Sequence, residues 1–476
     1  MELDKDLRAR QEARRLAVAA ERAQEQLANM RQQQLDRICE GIAKAFCDAA
    51  PELAAMAVRE TGFGNTEDKI TKNEFASKTV LSAIRDMKTV GVLKENQREK
   101  LWEVGVPVGV IAAIVPSTNP TSTVCYKALI ALKAGNAIIF SPHPKAILCT
   151  LRAAEIVAKA AKEAGAPEGA VSCLGIASMA GCQELMAAAQ VKLILATGGP
   201  GMVRAAYSSG KPAIGVGAGN GPAYIHHSAD VEHALSCILR SKAFDNGTVC
   251  ASEQSIIVEK DMETRVKDTA SRMGFYFMDT QQAGALAKLL FRPDGSLNPE
   301  IVGRSAAELA KKAGFSVPAG TKILVAREQE AGPTRPYSME KLCPVLAFFV
   351  MDSEDAVLQK AIEVLHHEGS GHTFAIHAKE EAVVRKFALQ IPVSRFLVNT
   401  PAALGGIGAT TALFPALTLG CGAVGGSSTS NNISPLDLIN VRRVAWGKEE
   451  NFSAPKTQLD EDLVEILTAK ILERMG

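Results

Sequence analysis

The chain has 476 residues, 47% of them hydrophobic, and its 53 basic and 52 acidic residues leave a formal net charge of only +1. A chain of this length and apolar content buries a large core and divides into two or three domains. The balanced charge excludes the electrostatic footprint of a protein that binds nucleic acid or an anionic membrane surface.

The ten cysteines form no C-x-x-C pair and no Cys/His cluster with zinc spacing. This distribution predicts neither a disulfide framework nor a structural metal, and it is typical of a reducing compartment. Residues 1–15 alternate acidic and basic side chains without the apolar segment of a signal peptide, and no long apolar run follows. We therefore expect a soluble, cytoplasmic protein without a metal.

The first predicted element is a long amphipathic helix. Its apolar residues recur every three to four positions, at Leu27, Met30, Leu35, Ile38, Ile42 and Phe46. Helical patterns continue over 53–59 and 75–87, before short predicted strands at 102–104 and 109–115.

Strands and helices then alternate. We predict strands at 136–140, 170–174 and 191–196, and helices at 125–134, 148–164, 180–189 and 202–207. Apolar strands that alternate with helices of this length indicate a parallel sheet covered on both faces, which is a nucleotide-binding architecture.

A second α/β series follows residue 250, after a domain boundary predicted near 240–244. Its predicted strands are 255–258, 322–325, 345–350, 373–377 and 394–398. The Gly-, Ser- and Thr-rich stretch 405–430 is interpreted as an active-site loop. Its Gly420-x-Gly422-x-x-Gly425 matches a dinucleotide fingerprint by letter, but the Ser/Thr/Asn run behind it is unsuited to open a helix.

Cys250 is the leading candidate nucleophile, because it ends a loop and immediately precedes a β-branched strand. A free cysteine taken alone is more often a buried core residue, so the assignment depends on its neighbours. Asn119 lies on a Pro-bounded turn after the apolar run 109–114. Its amide is placed to stabilise an oxyanion, although a turn asparagine usually satisfies its own backbone.

The turn from Thr197 to Gly201 follows a predicted strand and precedes a predicted helix. Its glycines let backbone amides approach a pyrophosphate at the helix N-terminus. A plain tight turn between strand and helix would have a similar sequence.

Together these segments resemble the aldehyde dehydrogenase superfamily, and specifically its coenzyme A-acylating branch. The resemblance is very close to the aldehyde dehydrogenase half of bifunctional aldehyde-alcohol dehydrogenases and extends from about Leu27 to about Val444. The segments that carry it are 119–123, 138–144, 196–203, 210–220 and 417–422. It implies an α/β fold with a Rossmann-like cofactor domain, an α/β catalytic domain and a small oligomerisation element.

The resemblance and the sequence pattern together divide the chain into five parts. They are an NAD-binding domain with N-terminal helices (1–243), a catalytic domain (244–430), a return and oligomerisation segment (431–447), a polar linker (448–456) and an amphipathic C-terminal helix (457–476).

The resemblance also implies roles for single residues. Cys250 forms a thioester, while Asn119 and the Cys250 backbone N–H stabilise the oxyanion. His372 assists proton transfer, unless it is a satisfied core histidine, and Glu340 holds the nicotinamide ribose, unless it is an ordinary surface residue. The residues expected to bind NAD are Pro116, Ser117, Ser141, His143, Pro144, Thr197, Gly198, Gly199, Gly201, Gly217, Glu340 and Leu342. Many relatives carry a lysine near position 143, so His143 leaves NAD and NADP both open.

One absence distinguishes this chain from hydrolytic aldehyde dehydrogenases. Those enzymes carry a glutamate that activates the deacylating water, and Val216 stands at the matching position. Without that base the thioester is expected to persist until a better nucleophile, such as the thiol of coenzyme A, attacks it.

The expected enzyme therefore converts a short-chain aldehyde, coenzyme A and NAD to acyl-CoA and NADH. Acetaldehyde and propionaldehyde are the favoured substrates, and sulfoacetaldehyde is an alternative. A Cys-dependent hydrolase would not need the nucleotide-binding series, and a noncatalytic scaffold would not need Cys250, Asn119 and Glu340 together. The expected partners are the aldehyde, coenzyme A and further copies of the chain in a dimer or tetramer.

The C-terminal segment 457–476 carries one apolar stripe, with acidic residues in the first predicted turn and basic residues in the last. A helix this short needs a partner surface. It either packs on the enzyme itself or resembles the encapsulation peptides that bind enzymes to shell or cargo proteins of bacterial microcompartments. The second alternative predicts a location inside such a compartment.

Overall fold

The computed structural model describes residues 4–447 and 461–475. Helices form the start of the chain: α1 (Lys5–Leu27), α2 (Gln32–Asp48), α3 (Ala50–Thr61), α4 (Thr66–Glu74) and α5 (Val80–Ile84), with a π-helical turn over Phe75–Thr79. The single helix predicted through Leu27 to Phe46 is in fact two. The side chain of Gln34 accepts a hydrogen bond from the Arg31 N–H and so stabilises the start of α2.

Helix α1 begins well before the predicted helical stretch. It buries a stripe of small residues, Ala9, Ala13, Ala17, Ala20 and Ala23. The stripe allows close packing, since a Cβ added to Gly181 in the later helix over Met179–Ala187 would lie 3.0 Å from the Cβ of Ala9. Alanine contributes little to an apolar pattern, so the sequence did not reveal this face.

A hairpin of β1 (Gly91–Asn96) and β2 (Leu101–Pro107) leads into the predicted parallel sheet. This sheet has the order β5-β4-β3-β6-β7 and confirms the predicted alternation. Its strands are β3 (Val110–Ile114), β4 (Ala137–Ser141), β5 (Val171–Cys173), β6 (Val191–Thr197) and β7 (Ala213–Val216), and its helices are α6 (Pro120–Lys133), α7 (Ile147–Glu163), α8 (Met179–Ala187) and α9 (Pro200–Tyr207). The strand order reverses between β3 and β6, where parallel sheets bind their ligands.

A second parallel sheet has seven strands in the order β10-β11-β12-β9-β8-β13-β14. Its strands are β8 (Gly221–Ile225), β9 (Glu253–Glu259), β10 (Phe275–Phe277), β11 (Ile323–Arg327), β12 (Val345–Met351), β13 (Gly371–His377) and β14 (Val393–Val398). Its helices are α10 (Val231–Ala243), α11 (Glu263–Arg272), α12 (Thr280–Leu290), α13 (Ala306–Lys312), α14 (Glu354–His367), α15 (Glu381–Ala388) and α16 (Ala402–Gly406). The five predicted strands are present, whereas β8 and β10 were not predicted.

The position of β8 corrects the predicted domain boundary. Strand β8 lies between β9 and β13 in the seven-stranded sheet, so the chain leaves the first sheet at 217–220 and not near 243. The sequence obscured this change because the two strands, β7 and β8, are separated only by the Gly-rich segment 217–220.

The chain returns to its first hairpin near the end of the main body. Strand β15 (Ile439–Ala445) pairs with β2, and the three strands form an antiparallel sheet in the order β1-β2-β15. Helix α17 (Glu461–Met475) follows, while residues 448–460, which include the predicted linker, lie outside the described residues. Among the helices described, none has the length and apolar character needed to cross a membrane.

Candidate active site

A cavity of about 380 Å³ is lined by residues at the carboxyl ends of strands of the first parallel sheet and by loop residues next to strands of the second. It brings together most of the residues predicted from the sequence, namely Pro116, Ser117, Asn119, His143, Thr197, Gly198, Gly199, Gly217, Cys250, Glu340 and Leu342. Ser141 is buried at the end of β4, Pro144 is exposed in the turn after β4, and Gly201 is exposed in the first turn of α9. These three residues do not line the cavity.

The loop before Cys250 has an unusual backbone. Asp245 and Asn246 adopt left-handed conformations with φ of 48° and 51°, and Gly247 follows with φ of 76°. Non-glycine residues adopt this conformation at an energetic cost, so tertiary contacts must hold the loop. Gly219 packs closely against the Cys250 backbone, because a Cβ at position 219 would lie 1.8 Å from the Cys250 carbonyl oxygen.

Cys250 is half-buried in the cavity wall. Burial raises the pKa of its thiol to about 12, and the nearby charges of Glu340 and Cys421 add to the effect while Arg395 opposes it. Burial and the neighbouring Glu368 in turn raise the pKa of Glu340 to about 8. Glu340 is therefore largely protonated at neutral pH, and this protonation removes a negative charge that would disfavour the thiolate.

Glu340 also forms hydrogen bonds with Gly219 and Glu368, which belong to two other segments of the chain. Its Oε1 accepts a hydrogen bond of 2.9 Å from the backbone N–H of Gly219, which is the residue that contacts Cys250. Its own N–H donates to Glu368. Leu342, two residues later, also lines the cavity and has a φ of 46°.

Asn119 lies immediately before α6, in which Pro120 occupies the first position. Its side-chain nitrogen is 3.4 Å from the carbonyl oxygen of Thr248 and 3.3 Å from the hydroxyl of Thr118, which are long contacts. Because Thr248 stands two residues before Cys250, the Asn119 amide lies beside the nucleophile loop. A weakly engaged N–H₂ group in this position is available to an oxyanion.

Sequence reasoning missed two charged residues of the site, Lys72 and Asp245. The ammonium group of Lys72 lies 2.7 Å from the side-chain oxygen of Asn119 and 2.5 Å from Asp245 Oδ2. Asp245 is wholly buried and also accepts from Lys69 at 2.9 Å. The position of Asp245, five residues before Cys250, was the only feature in the sequence that could have indicated its role. Nothing in the sequence indicated that it contacts a helix more than a hundred residues earlier.

The turn between β6 and α9 fits a dinucleotide. Gly199 precedes α9, no side chain caps that helix, and no acidic residue lies in its first turn. A Cβ at Gly199 or Gly201 would meet nothing within 4 Å, so the backbone faces open space. The turn stands at the carboxyl end of β6, where a pyrophosphate can accept from the N-terminal amides of α9.

His372 does not belong to the cavity. It is fully buried near the start of β13, its Nδ1 lies 2.8 Å from the Thr373 hydroxyl, and it is absent from the residues that line the site. Burial, with the charge of Arg395, lowers its pKa to about 3. This pKa does not favour proton transfer at neutral pH, because a strand with neighbours on both sides excludes water from this imidazole. A catalytic role of His372 stays a prediction.

Val216 is the last residue of β7, is buried and lines the cavity. The wall near it is completed by apolar side chains, among them Leu297, Val302, Ile407 and Leu419. Val216, which matches the glutamate of hydrolytic relatives, therefore lies inside the site. Its isopropyl side chain can neither accept nor donate a proton.

Known proteins share this architecture. Residues 6–276 match the aldehyde dehydrogenase family. The bifunctional aldehyde-alcohol dehydrogenase AdhE of Escherichia coli (strain K12) is 45% identical over 436 residues, which is 90% of this chain and 49% of that protein. The chain thus spans about half the length of the curated relatives it first matches.

Two solved structures extend the comparison over nearly whole chains. An acetylating aldehyde dehydrogenase from Geobacillus thermoglucosidasius has a TM-score of 0.93 at 47% identity, and the match covers 94% of this chain and 99% of that one. A propionaldehyde dehydrogenase from a Clostridium phytofermentans fucose-utilisation bacterial microcompartment has a TM-score of 0.83 at 28% identity, covering 90% and 96%.

The structural matches bear out the predicted α/β fold with a Rossmann-like sheet and a second α/β sheet. The match to the family extends over more than half of the residues. The chain belongs to the aldehyde dehydrogenase family.

Proposed function

We propose that this protein is an NAD-dependent acylating aldehyde dehydrogenase, which converts acetaldehyde or propionaldehyde and coenzyme A to acyl-CoA. The observation that carries this proposal is the cavity itself. Cys250, Asn119 and residues 197–199 of the β6–α9 turn all line it, and so does Val216, which the family resemblance matches to the glutamate of hydrolytic enzymes.

Cys250, as the thiolate, attacks the aldehyde carbon, and the carbonyl oxygen becomes an oxyanion. The Asn119 amide and the Cys250 backbone N–H donate to that oxygen. Bound NAD supplies the acceptor for the hydride that leaves the same carbon. The acyl group then remains on Cys250 as a thioester until the thiol of coenzyme A accepts it, which regenerates the free cysteine.

Residues around the β6–α9 turn are proposed to hold NAD. Thr197, Gly198 and Gly199 would face the pyrophosphate, while Glu340 would accept from the nicotinamide ribose. Ser141, His143 and Pro144, where β4 ends and the chain turns towards α7, would lie at the adenosine. Pro116, Ser117, Gly201, Gly217 and Leu342 complete the proposed set.

The charge of the cavity favours an uncharged aldehyde. Among the described residues, the basic side chains that line it are Lys72, His143 and Lys145, and burial, with the charge of Lys145, lowers the pKa of His143 and favours its neutral form. Lys72 is engaged by three acceptors, and the other two belong to the turn after β4. A sulfonate next to Cys250 would therefore be desolvated without a free cation, which disfavours sulfoacetaldehyde.

The experiment is an absorbance assay at 340 nm with NAD and a panel of aldehydes, with and without coenzyme A. NADH formation should be sustained only when coenzyme A is present, and kcat/KM should be higher for acetaldehyde and propionaldehyde than for sulfoacetaldehyde. Sustained turnover to free acid without coenzyme A would refute the acylating reaction, and a preference for sulfoacetaldehyde would refute the substrate class.

We further propose that the enzyme is enclosed in a bacterial microcompartment. Helix α17 supports this location because its apolar side chains Leu463, Ile466, Leu467 and Ile471 are each more than half exposed. A microcompartment protein is among the structural relatives. The alternative, packing of α17 on another part of the oligomer, is tested with the deletion described in the Discussion.

A further inference from the structure

Lys72, which lines the active-site cavity, donates to a cage of three acceptors. Its side chain, on α4, is 3% exposed, and its ammonium group lies 2.7 Å from Asn119 Oδ1, 2.5 Å from Asp245 Oδ2 and 3.0 Å from Thr248 Oγ1. An ammonium group has three protons and no acceptor. Each proton therefore has one partner, and the group is fixed in orientation.

This cage decides which way the Asn119 amide points. Because Lys72 can only donate, the atom of Asn119 that faces it must be the oxygen. The N–H₂ group must then point the other way, where its contacts are long: 3.3 Å to the Thr118 hydroxyl and 3.4 Å to the Thr248 carbonyl oxygen. An amide rotated by half a turn would direct its N–H₂ at an ammonium group and lose the contact.

Asp245 anchors the cage to the nucleophile loop. Its carboxylate accepts from Lys69, Lys72, the Thr248 hydroxyl and the backbone N–H of Asn65. The fit leaves no space: a Cβ at Gly64 would lie 1.7 Å from Asp245 Oδ1. Lys72 and Asp245 thus connect the oxyanion donor to the nucleophile loop.

We propose that Lys72 is a positioning residue for the chemical step, which it assists by fixing the Asn119 amide with its N–H₂ group towards the reacting oxygen. The proposal rests on the proposed function, in which Asn119 donates to the oxyanion. Lys72 itself does not touch the substrate in this proposal, and Asp245 holds Lys72 in place.

Lys69 provides a matched control. It lies one helical turn from Lys72 on α4, is equally buried at 3% exposed, and also pairs with Asp245 Oδ2, but its other partner is the Thr118 carbonyl oxygen. Lys69→Met and Lys72→Met therefore remove similar charges and similar ion pairs. Only Lys72→Met releases the Asn119 oxygen.

The measurement is the single-turnover rate of NADH formation, together with aldehyde KM and the melting temperature. Lys72→Met should slow NADH formation about 10- to 100-fold with little change in KM, since losing one oxyanion donor costs about 100- to 1000-fold. Lys69→Met should slow it less than about threefold at a comparable loss of melting temperature. Equal effects of the two substitutions would overturn the proposal. If Lys72→Met does not fold, Lys72→Gln and Lys69→Gln are compared in the same way, since a glutamine amide both donates and accepts and therefore no longer fixes which atom of Asn119 faces it.

A double-mutant cycle separates this proposal from the function on which it rests. In an Asn119→Ala background, Lys72→Met should add less than about a twofold effect, because the amide it orients is gone. Multiplicative effects would show that Lys72 acts by another route. An unchanged rate in Asn119→Ala alone would refute the oxyanion role of Asn119, whereas a slowed Asn119→Ala with a normal Lys72→Met would refute only the Lys72 proposal.

Discussion

Cys250 and Glu340, two neighbouring residues in the cavity, both have raised pKa values. The charge of Glu340 contributes to the pKa of the Cys250 thiol, so the titration of one group affects the other. The thiol pKa is raised to about 12 by burial and then by the Glu340 charge, while the pKa of Glu340 is raised to about 8. The charge of Glu340 is absent well below pH 8 and present above it. Its effect on the thiol therefore grows with pH.

This linkage predicts how Glu340→Gln changes the reactivity of Cys250. Near about pH 6 the variant and the parent protein should be alkylated at Cys250 at similar rates, because Glu340 is then protonated. Near about pH 9 the variant should react several-fold faster, because only the parent protein then carries a charge that opposes the thiolate.

Iodoacetamide labelling followed by peptide mass spectrometry measures this rate at Cys250 alone. Glutamine retains an oxygen that can accept from Gly219, so the backbone contact is preserved as a control. A variant that reacts faster at acidic pH and not at alkaline pH would reverse the predicted sign.

Cys250→Ala should abolish aldehyde-dependent NADH formation, because the sulfur atom forms the thioester. NAD binding should remain near the parental value, since the β6–α9 turn is built from other residues. Titration with NAD while protein fluorescence is monitored provides the control. Residual turnover above about a tenth of the parental rate would rule out Cys250 as the nucleophile.

At the level of elements, the Gly-rich segment 217–220 connects the two parallel sheets and also supports the nucleophile. Gly219→Ala would place a methyl group 1.8 Å from the Cys250 carbonyl oxygen, so the nucleophile loop must move. We expect turnover to fall at least about 100-fold, because displacements of about 1 Å in an active site have effects of that size. Gly284→Ala on α12 is the matched control, as its Cβ would meet nothing within 4 Å and the residue does not line the cavity. Similar activity in Gly219→Ala and the parent would contradict the contact.

The end of β7 yields a second element-level prediction. Val216→Glu should increase free acid production in the absence of coenzyme A, because it adds a carboxylate to the cavity wall where water can be activated. Val216→Gln is the control of similar size without a base. If neither variant hydrolyses the thioester faster, the thioester persists because water is excluded from the cavity, and the absence of a base is not the reason.

Periodicity and residue type predicted most of the fold. Long apolar strands such as 345–350 and 373–377 were recognised because they are buried on both faces. Short or Gly-bounded strands such as β8 and β10 gave too weak a pattern, and α1 was hidden because its buried face consists mainly of alanine.

The candidate site was predictable only where one residue type carries its own chemistry. Cys250, Asn119, Gly198 and Gly199 are of this kind, and the structure brings them to one cavity. The contact of Lys72 with Asn119 and Asp245 depends on three separate segments meeting, which a single sequence does not encode locally. The burial of His372 likewise follows from the strands on either side of β13.

For the whole molecule, α17 predicts an interaction outside the main body. Deletion of residues 457–476 should leave the activity in solution nearly unchanged but abolish co-purification with shell proteins, because the apolar stripe is the proposed binding surface. Fused to a fluorescent protein, the same residues should direct it into compartments.

A pair of substitutions sharpens this test. Ile466→Glu with Leu467→Glu should reproduce the deletion, whereas Glu465→Gln, on the opposite side of the helix, should not. Loss of the oligomer or of activity upon deletion, with unchanged localisation, would instead mean that α17 packs on the enzyme itself.

The pairing of β2 with β15 has a consequence for the order of events during synthesis. Both parallel sheets lie between these two strands in the chain, and β2 completes its sheet only when residues 439–445 have left the ribosome. Contacts between such distant segments form late in folding. Both parallel sheets can therefore gather their strands on the nascent chain while the antiparallel sheet is still open, which would delay any subunit assembly through that sheet until translation is almost finished.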